Sequence, residues 1–229
     1  MKRYFSPSLL SHLMLKLFLF FSSVTAFSQI GNFNGLPQFL CPEFTASKVK
    51  MKAGGKDINL LLNYNMVTQK MVFFQKDQVY DLLNDELVDT IYMSGSRFVK
   101  IDKAFFEAFP GNPLTFFIQH VGKIMAPAKP AAYGGTSELS SSTYISRINL
   151  DGGEVYNSRL EGDLRVKYDP VFWVKINGQL NDFTSEKQYL KLFPGKEELI
   201  KQYIKKNKVK FDRQDQLVKL WSYTNSIMK

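Results

Sequence analysis

From Lys48 onward, the chain consists largely of short segments in which apolar and polar residues alternate. The first is 48–52, and a glycine-containing turn at 53–56 connects it to apolar residues at every second position between 58 and 64. A period of two is typical of a β-strand with one buried face. Two such segments around a glycine turn predict a β-hairpin.

Further strands are predicted at short intervals along the chain, at 70–74, 78–81, 90–93, 97–101, 114–124, 144–148, 164–168 and 171–176. No helix long enough for a parallel crossover separates those before residue 125, so the sheet is predicted to be antiparallel and half buried. The predicted fold class is α+β. It is a mainly antiparallel β domain, built as a sandwich, a curled sheet or an open barrel, with a C-terminal helical segment.

The helical segment is predicted over 184–229. Ser185 with Gln188 three residues later is a capping box, and the Phe-Pro-Gly sequence at 193–195 ends that short helix. A second helix is predicted over 196–206, and a third with Asp212 as its N-cap. Their apolar stripes should pack on the sheet or on each other. The stripes comprise Leu199, Ile200, Tyr203 and Ile204 in the second helix and Leu217, Val218, Leu220, Trp221 and Thr224 in the third.

Residues 1–28 have the layout of a secretory signal peptide: a basic start, an apolar stretch and a small-residue end. Cleavage is predicted after Ser28, with Ala26 as the alternative, and Met14 is an alternative start. The apolar run is about half of the roughly 20 residues that a membrane span needs. An exported protein without a transmembrane segment after cleavage is therefore expected. Lipid attachment at Cys41 is not expected, because that residue lies well beyond the apolar stretch.

The mature chain divides into five parts by composition. Residues 29–47 are an extended lead-in, and 48–124 form the antiparallel β domain. Residues 125–143, rich in Ala, Pro, Gly and Ser, are predicted to be a flexible linker or loop. The strands in 144–183 extend the first sheet or form a small one of their own, and the amphipathic helices occupy 184–229.

The mature chain is mildly basic. Three of the 30 basic residues leave with the signal segment, so 27 basic and 21 acidic residues give a net charge of +6. The excess is concentrated at 201–213, which we interpret as a solvated helix end, with weak contact with an anionic membrane surface as the alternative. Nucleic-acid binding is not expected, because few aromatic or arginine side chains are interleaved there and the chain is exported.

Candidates for catalysis are few. Because His12 leaves with the signal segment, His120 is the only histidine of the mature chain, and Cys41 is the only cysteine. Zinc sites built from several such ligands within one chain are therefore excluded. Any Ser-His or Cys-His machinery would have to use His120, which we interpret as a hydrogen-bonded or surface residue of a strand.

Two other motifs resemble functional sites, but we interpret them as a loop and a turn without a catalytic or binding role. The glycine-containing loop at 133–137 lacks the Gly-Lys-Ser/Thr ending of a phosphate-binding loop. The acidic residues Asp81, Asp85, Glu86 and Asp89 are interpreted as a solvated turn rather than a glycosidase pair. No catalytic, cofactor-binding or metal-binding residue is assigned, and no cofactor is expected.

Several segments resemble a group of uncharacterised exported proteins common in Bacteroidota. They are Leu-Asn-Tyr-Asn at 62–65, the strands at 71–74 and 97–99, and the ending with Leu-Phe-Pro-Gly at 192–195, Ile-Lys-Lys-Asn-Lys-Val at 204–209 and Tyr-Thr-Asn at 223–225. The resemblance covers most of the mature chain. It implies a cell-envelope setting and provides no functional residues.

The expected function is non-enzymatic. The chain is expected to act in the periplasm, on the periplasmic face of the outer membrane or outside the cell. There it would bind an outer-membrane or periplasmic protein, or another envelope component, through a strand edge or the helical tail. One alternative is a hydrolase acting on glycan or peptide. Another is a lipid-carrying β-cup, which predicts a large cavity lined by some of the 20 phenylalanines.

Overall fold

The structure is a computed structural model that describes residues 35–52, 54–125, 129–130, 136–137 and 165–228. The predicted signal segment, the strand predicted at 144–148 and the loop residues 133–135 lie outside the described residues.

The described residues form fourteen strands. In chain order they are β1 (Thr45–Met51), β2 (Ile58–Asn65), β3 (Lys70–Gln75), β4 (Gln78–Asp81), β5 (Val88–Met93), β6 (Ser96–Ile101), β7 (Ala104–Phe109), β8 (Thr115–Gln119), β9 (Gly122–Met125), β10 (Lys129–Pro130), β11 (Thr136–Ser137), β12 (Arg165–Tyr168), β13 (Val171–Ile176) and β14 (Gln179–Phe183). A short 3-10 helix (Asp85–Leu87) precedes β5.

Ten of these strands form one open antiparallel sheet, in the order β14-β13-β8-β7-β6-β5-β1-β2-β3-β4. The predicted hairpin is present, with Thr45 of β1 opposite Leu62 of β2. Because β13 pairs with β8, the later strands extend the first sheet. Outside that sheet, β12 pairs with β9, and β10 with β11. The predicted α+β class with a mainly antiparallel sheet is confirmed.

The sheet curls on itself, one of the three predicted forms. Strands β2 and β3 are several positions away from β7 in the strand order, yet the turn between them contacts β7 directly. The backbone N–H of Phe105 donates to the carbonyl of Gln69 at 3.2 Å, and that of Gly122 donates to the carbonyl of Met66 at 2.8 Å. The Tyr64 hydroxyl donates to the carbonyl of Phe105 at 3.0 Å. The curl therefore places the 66–69 turn against β7 and β9.

Three features of the sheet differ from the sequence prediction. β7 was not predicted, because its sequence Ala-Phe-Phe-Glu-Ala-Phe does not alternate; four consecutive residues of it are buried. β14 was not predicted either; the Asn-Gly turn at 177–178 has positive φ at both residues and leads directly into it. The strand predicted at 114–124 is two strands, β8 and β9, which break at His120 and Val121.

Three helices follow the sheet: α1 (Glu186–Lys191), α2 (Glu197–Asn207) and α3 (Gln214–Ile227). Ser185 caps α1, as predicted, and accepts from the Gln188 amide at 3.4 Å. The Gln188 side chain accepts from the backbone of Thr184 rather than from Ser185. The prediction that Asp212 caps the last helix was wrong: Arg213 occupies the N-cap position, with no side-chain hydrogen bond.

Of the predicted stripes, Leu199 is 44% exposed, and Tyr203 and Val218 are partly buried. From α2, Ile200 and Ile204 are buried, and from α3, Leu217, Leu220, Trp221 and Thr224. They pack on the aromatic residues of β8, β13 and β14 in one core, which we call the helix-covered core. None of the described helices is both long and apolar enough to cross a membrane.

A second core fills the inside of the curl, with Val49, Leu62, Tyr64, Met71, Ile91, Phe98 and Phe105 among its buried residues. We call it the curl core. Within β7, Phe105 belongs to the curl core and Phe109 packs against the helix-covered core. Side chains on one face of a strand recur every second residue. The residue between them on that face is Glu107, so a carboxylate lies where the two cores meet.

Candidate functional site

Glu107 is a buried carboxylate in an otherwise apolar strand, 8% exposed. Its neighbours across the sheet are Phe98 on β6 and Ile118 on β8. A charge in such surroundings must be partnered, and both carboxylate oxygens are. Oε1 accepts from the Ser96 hydroxyl at 2.5 Å, and Oε2 lies 2.9 Å from Nε2 of His120.

His120 follows directly after β8 and is 2% exposed. Both of its ring nitrogens are engaged, since Nδ1 lies 2.6 Å from the Tyr168 hydroxyl and Nε2 contacts Glu107. Aromatic rings enclose it. The Tyr168 ring stacks on the imidazole at a centroid distance of 5.8 Å, Tyr64 meets it edge-on at 5.8 Å, and Phe98 lies at 6.0 Å. The imidazole is therefore fixed in place by packing and by hydrogen bonds.

Tyr168 ends β12, and its register places it opposite Gly122 of β9. A Cβ added at Gly122 would lie 2.8 Å from Cγ1 of Val166 and 3.0 Å from Cβ of Met66, so a glycine is needed for β12 to approach β9 and the 66–69 turn. Tyr168 is 41% exposed. Its hydroxyl also lies 3.4 Å from Oε1 of Gln214, the first residue of α3. Tyr168 therefore connects the buried residues Glu107 and His120 to the solvent-exposed side of the site.

A pocket of about 490 Å³ opens over this chain of hydrogen bonds. Its apolar lining consists of Leu40, Met66, Met93 and Phe98. Its polar lining consists of Cys41, Ser94, Ser96, Glu107, His120, Tyr168 and Gln214. A pocket of this size with an apolar wall and a few convergent polar groups is typical of small-molecule sites.

The lead-in positions Cys41 at the pocket. The buried Asn63 side chain holds that segment, because it accepts from the Cys41 amide at 3.0 Å and donates to the Cys41 carbonyl at 2.8 Å. The Cys41 thiol lies 3.5 Å from the Ser94 hydroxyl. Ser94 and Gly95 form the tight turn between β5 and β6, both with positive φ. The lead-in also packs through Phe39 and Phe44, whose rings are in edge contact at a centroid distance of 5.3 Å.

The electrostatics of the site centre on Glu107. Burial by itself would raise the pKa of its carboxyl, but the hydrogen bonds from His120 and Ser96, with the charge that His120 can carry, hold that pKa below its ordinary value. Burial raises the pKa of the Tyr168 hydroxyl, and the Glu107 charge raises it further. At neutral pH the site thus holds an ionised carboxylate and a neutral phenol.

The hydrogen-bond directions follow from these charge states. An ionised carboxylate can only accept, so Nε2 of His120 carries a proton. When the imidazole is neutral, Nδ1 accepts from the Tyr168 hydroxyl; when it is protonated, Nδ1–H donates to the Tyr168 oxygen and the hydroxyl donates to Oε1 of Gln214. In both cases Tyr168, His120 and Glu107 form one continuous hydrogen-bonded chain, and the Tyr168 oxygen keeps a lone pair for the pocket.

The sequence-based candidates have mixed outcomes. His120 is hydrogen-bonded, as interpreted, but it is buried in the break after β8. Of the acidic candidates, Asp81 pairs with Lys70 at 3.0 Å and Asp85 pairs with Lys100, while Glu86 is exposed. These three occupy β4 and the segment before β5, and Asp89 lies in β5, where it accepts from the Thr90 hydroxyl at 2.9 Å; all four are outside the pocket lining. Within the part of the chain that the structure describes, no group of three or more His, Cys, Asp or Glu residues is arranged to hold a metal.

Sequence reasoning missed Glu107 and Tyr168. A signal for Glu107 was present, because a lone carboxylate inside a run of Ala and Phe requires a buried partner. Tyr168 carried no comparable signal. It lies 48 residues beyond His120, and its role depends on the pairing of β12 with β9.

Comparison with known proteins found no match: no family model, curated protein or solved structure is similar enough to indicate a family or a function.

Proposed function

We propose that this chain is an exported, non-enzymatic binding protein of the cell envelope, and that the pocket beside Tyr168 holds its ligand. The observation that carries the proposal is the rigid chain Tyr168–His120–Glu107 at the wall of an open pocket of about 490 Å³. Polar groups that are fixed before binding orient a ligand at low entropic cost. The export and the envelope location rest on the sequence of residues 1–28.

Binding is favoured over turnover because of how His120 is used. In nucleophilic catalysis a histidine base is hydrogen-bonded to a serine or cysteine. Here the two imidazole nitrogens contact Glu107 and Tyr168, while Ser96 donates to Glu107 and Cys41 lies beside Ser94. The histidine therefore serves as a link between a carboxylate and a phenol.

A hydrolase is the second candidate, because one observation favours it: two ionisable groups, Glu107 and His120, lie together in a pocket. Analysis of bound compounds by mass spectrometry separates the two, since a hydrolase would return cleaved product and a binding protein would return the compound intact. The lipid-carrying alternative has less support, since among the described residues Phe98 is the one phenylalanine that lines this pocket.

Protein partners and weak membrane contact stay predictions. Among the described strands, β4 and β14 lie at the two ends of the large sheet, so each pairs with one neighbouring strand there. Their other edges are available for strand addition. The lysines at the end of α2 and beyond it, including Lys205, Lys206 and Lys208, are exposed and suit an anionic surface.

The single cysteine allows a direct test of the pocket. Because Cys41 is the only cysteine and lines the pocket, alkylation with N-ethylmaleimide places one bulky group there. Mature wild-type protein, with and without alkylation, is screened by ligand-observed NMR against envelope sugars, peptides and lipids. Cys41→Ser treated with the reagent is the matched control. We expect saturable binding that alkylation abolishes only when the cysteine is present. Binding that alkylation leaves unchanged, or no binding to any compound, would refute the proposal.

A further inference from the structure

We infer that the pocket selects a small organic cation, an ammonium or amidinium group joined to an apolar portion, with Tyr168 and Glu107 as the recognising groups. This rests on the proposed function, because it names the class of ligand for the same pocket.

The composition of the pocket is the first step. The whole chain carries 30 basic and 21 acidic residues. Nevertheless, none of the described residues that line the pocket is a lysine or an arginine, and Glu107 supplies a carboxylate. A site built for an anion would present basic side chains. Apart from His120, the one ionisable group of fixed sign among the described lining residues is thus an acidic one, in a protein with a basic surplus.

The geometry of the hydrogen bonds is the second step. The Tyr168 oxygen keeps a free lone pair toward the pocket, and Oε1 of Gln214, an acceptor within hydrogen-bond distance of that hydroxyl at 3.4 Å, lies beside it. Two acceptor oxygens at this distance are bridged well by a group with several N–H donors. The Glu107 carboxylate lies on the far side of the imidazole and lines the same pocket, so it can attract a cation there.

The apolar wall is the third step. Met66, Met93 and Phe98 line the same pocket, and Tyr168 adds an aromatic face. Aromatic faces attract cations, and methionine side chains adapt to irregular apolar groups. Two positive features lie near Gln214, the N-terminus of α3 and the Arg213 side chain. Asp215 in the first turn of that helix offsets the helix end, and its Oδ1 lies 3.5 Å from Nε of Arg213.

The test uses three probes that share one apolar portion: 2-phenylethylamine, 2-phenylethanol and 3-phenylpropanoate. Each is titrated into the mature wild-type protein by isothermal titration calorimetry at low ionic strength. We expect the amine to bind about tenfold more tightly than the alcohol, since charge-assisted hydrogen bonds are the stronger ones, and the carboxylate to bind least. Equal or tighter binding of the alcohol or the carboxylate would overturn the inference, as would no saturable binding of the amine.

Two variants test whether Glu107 causes the preference for the amine. Glu107→Gln should remove most of the preference for the amine over the alcohol. Glu86→Gln makes the same charge change at an exposed position outside the pocket and should leave the preference intact. If the two variants behave alike, selection is not made by Glu107, and the inference fails. The proposed function can survive the failure of this inference. If the alcohol binds as tightly as the amine and Cys41 alkylation abolishes that binding, the pocket is a ligand site that does not select cations.

Discussion

Replacing Glu107 with glutamine is expected to lower the free energy of unfolding by about 2–3 kcal/mol at neutral pH. Two donors, the Ser96 hydroxyl and Nε2–H of His120, converge on the carboxylate. A hydrogen bond to a charged group contributes about 1.5–3 kcal/mol. The glutamine oxygen still accepts one of the two bonds in a weaker, neutral form. The other donor then faces an NH₂ group and is left unpaired.

The loss in the free energy of unfolding caused by Glu107→Gln should become smaller as the pH falls. The pKa of the Glu107 carboxyl is lowered in the folded protein, so its contribution is complete above the unfolded value of about 4.3 and disappears as the pH falls through the folded value. In strong acid the wild-type carboxyl is protonated and resembles the glutamine. The difference between wild type and Glu107→Gln should therefore shrink on acidification.

Urea unfolding followed by tryptophan fluorescence measures both effects, at neutral pH and at about pH 3. Glu86→Gln is the control, since its side chain is exposed, and it should change stability by less than about 0.5 kcal/mol. The same loss at both pH values would refute the argument that the ionised form of Glu107 carries the stabilisation. A loss in the control as large as in Glu107→Gln would refute the argument from burial.

Three further substitutions test the packing of the fold, each by urea unfolding. Phe116→Ala removes a fully buried ring from the helix-covered core and should cost about 3–5 kcal/mol; a cost below about 1 kcal/mol would mean that the helices do not pack on the sheet as described. Gly111→Ala places a Cβ 2.4 Å from the carbonyl oxygen of Leu114 and should cost about 1–3 kcal/mol; unchanged stability would contradict this close approach. Ser185→Ala removes the cap on the Gln188 amide and should cost about 1 kcal/mol, and no change would show that the 3.4 Å contact contributes nothing.

The pairing of strands and the packing of helices explain which parts of this protein were predictable. The hairpin β1–β2 and the strands β3 to β6 follow from the alternation of apolar and polar residues in their sequences, although β2 and β3 each bury consecutive residues. The stripes on α2 and α3 follow from a period near 3.6, because each of these helices has one face toward the core. β7 could not be found in this way, because both of its faces are buried and its sequence has no period.

Only part of the candidate site could be predicted from the sequence. His120 stands out as the single histidine of the predicted mature chain, and its hydrogen-bonded state was expected. Its partners could not be identified, because Ser96, Glu107 and Tyr168 come from strands that meet only after the sheet has curled and β12 has paired with β9.

The amino-acid sequence by itself determined the strand-rich character, the antiparallel arrangement and the helical ending, since each depends on the local period of apolar residues. The tertiary structure decided where the carboxylate, the imidazole and the phenol lie relative to one another. The physical reason is that the local period of apolar residues indicates which residues are buried. A site depends instead on which of those residues lie next to one another in three dimensions. In this protein the curl of the sheet brings them together.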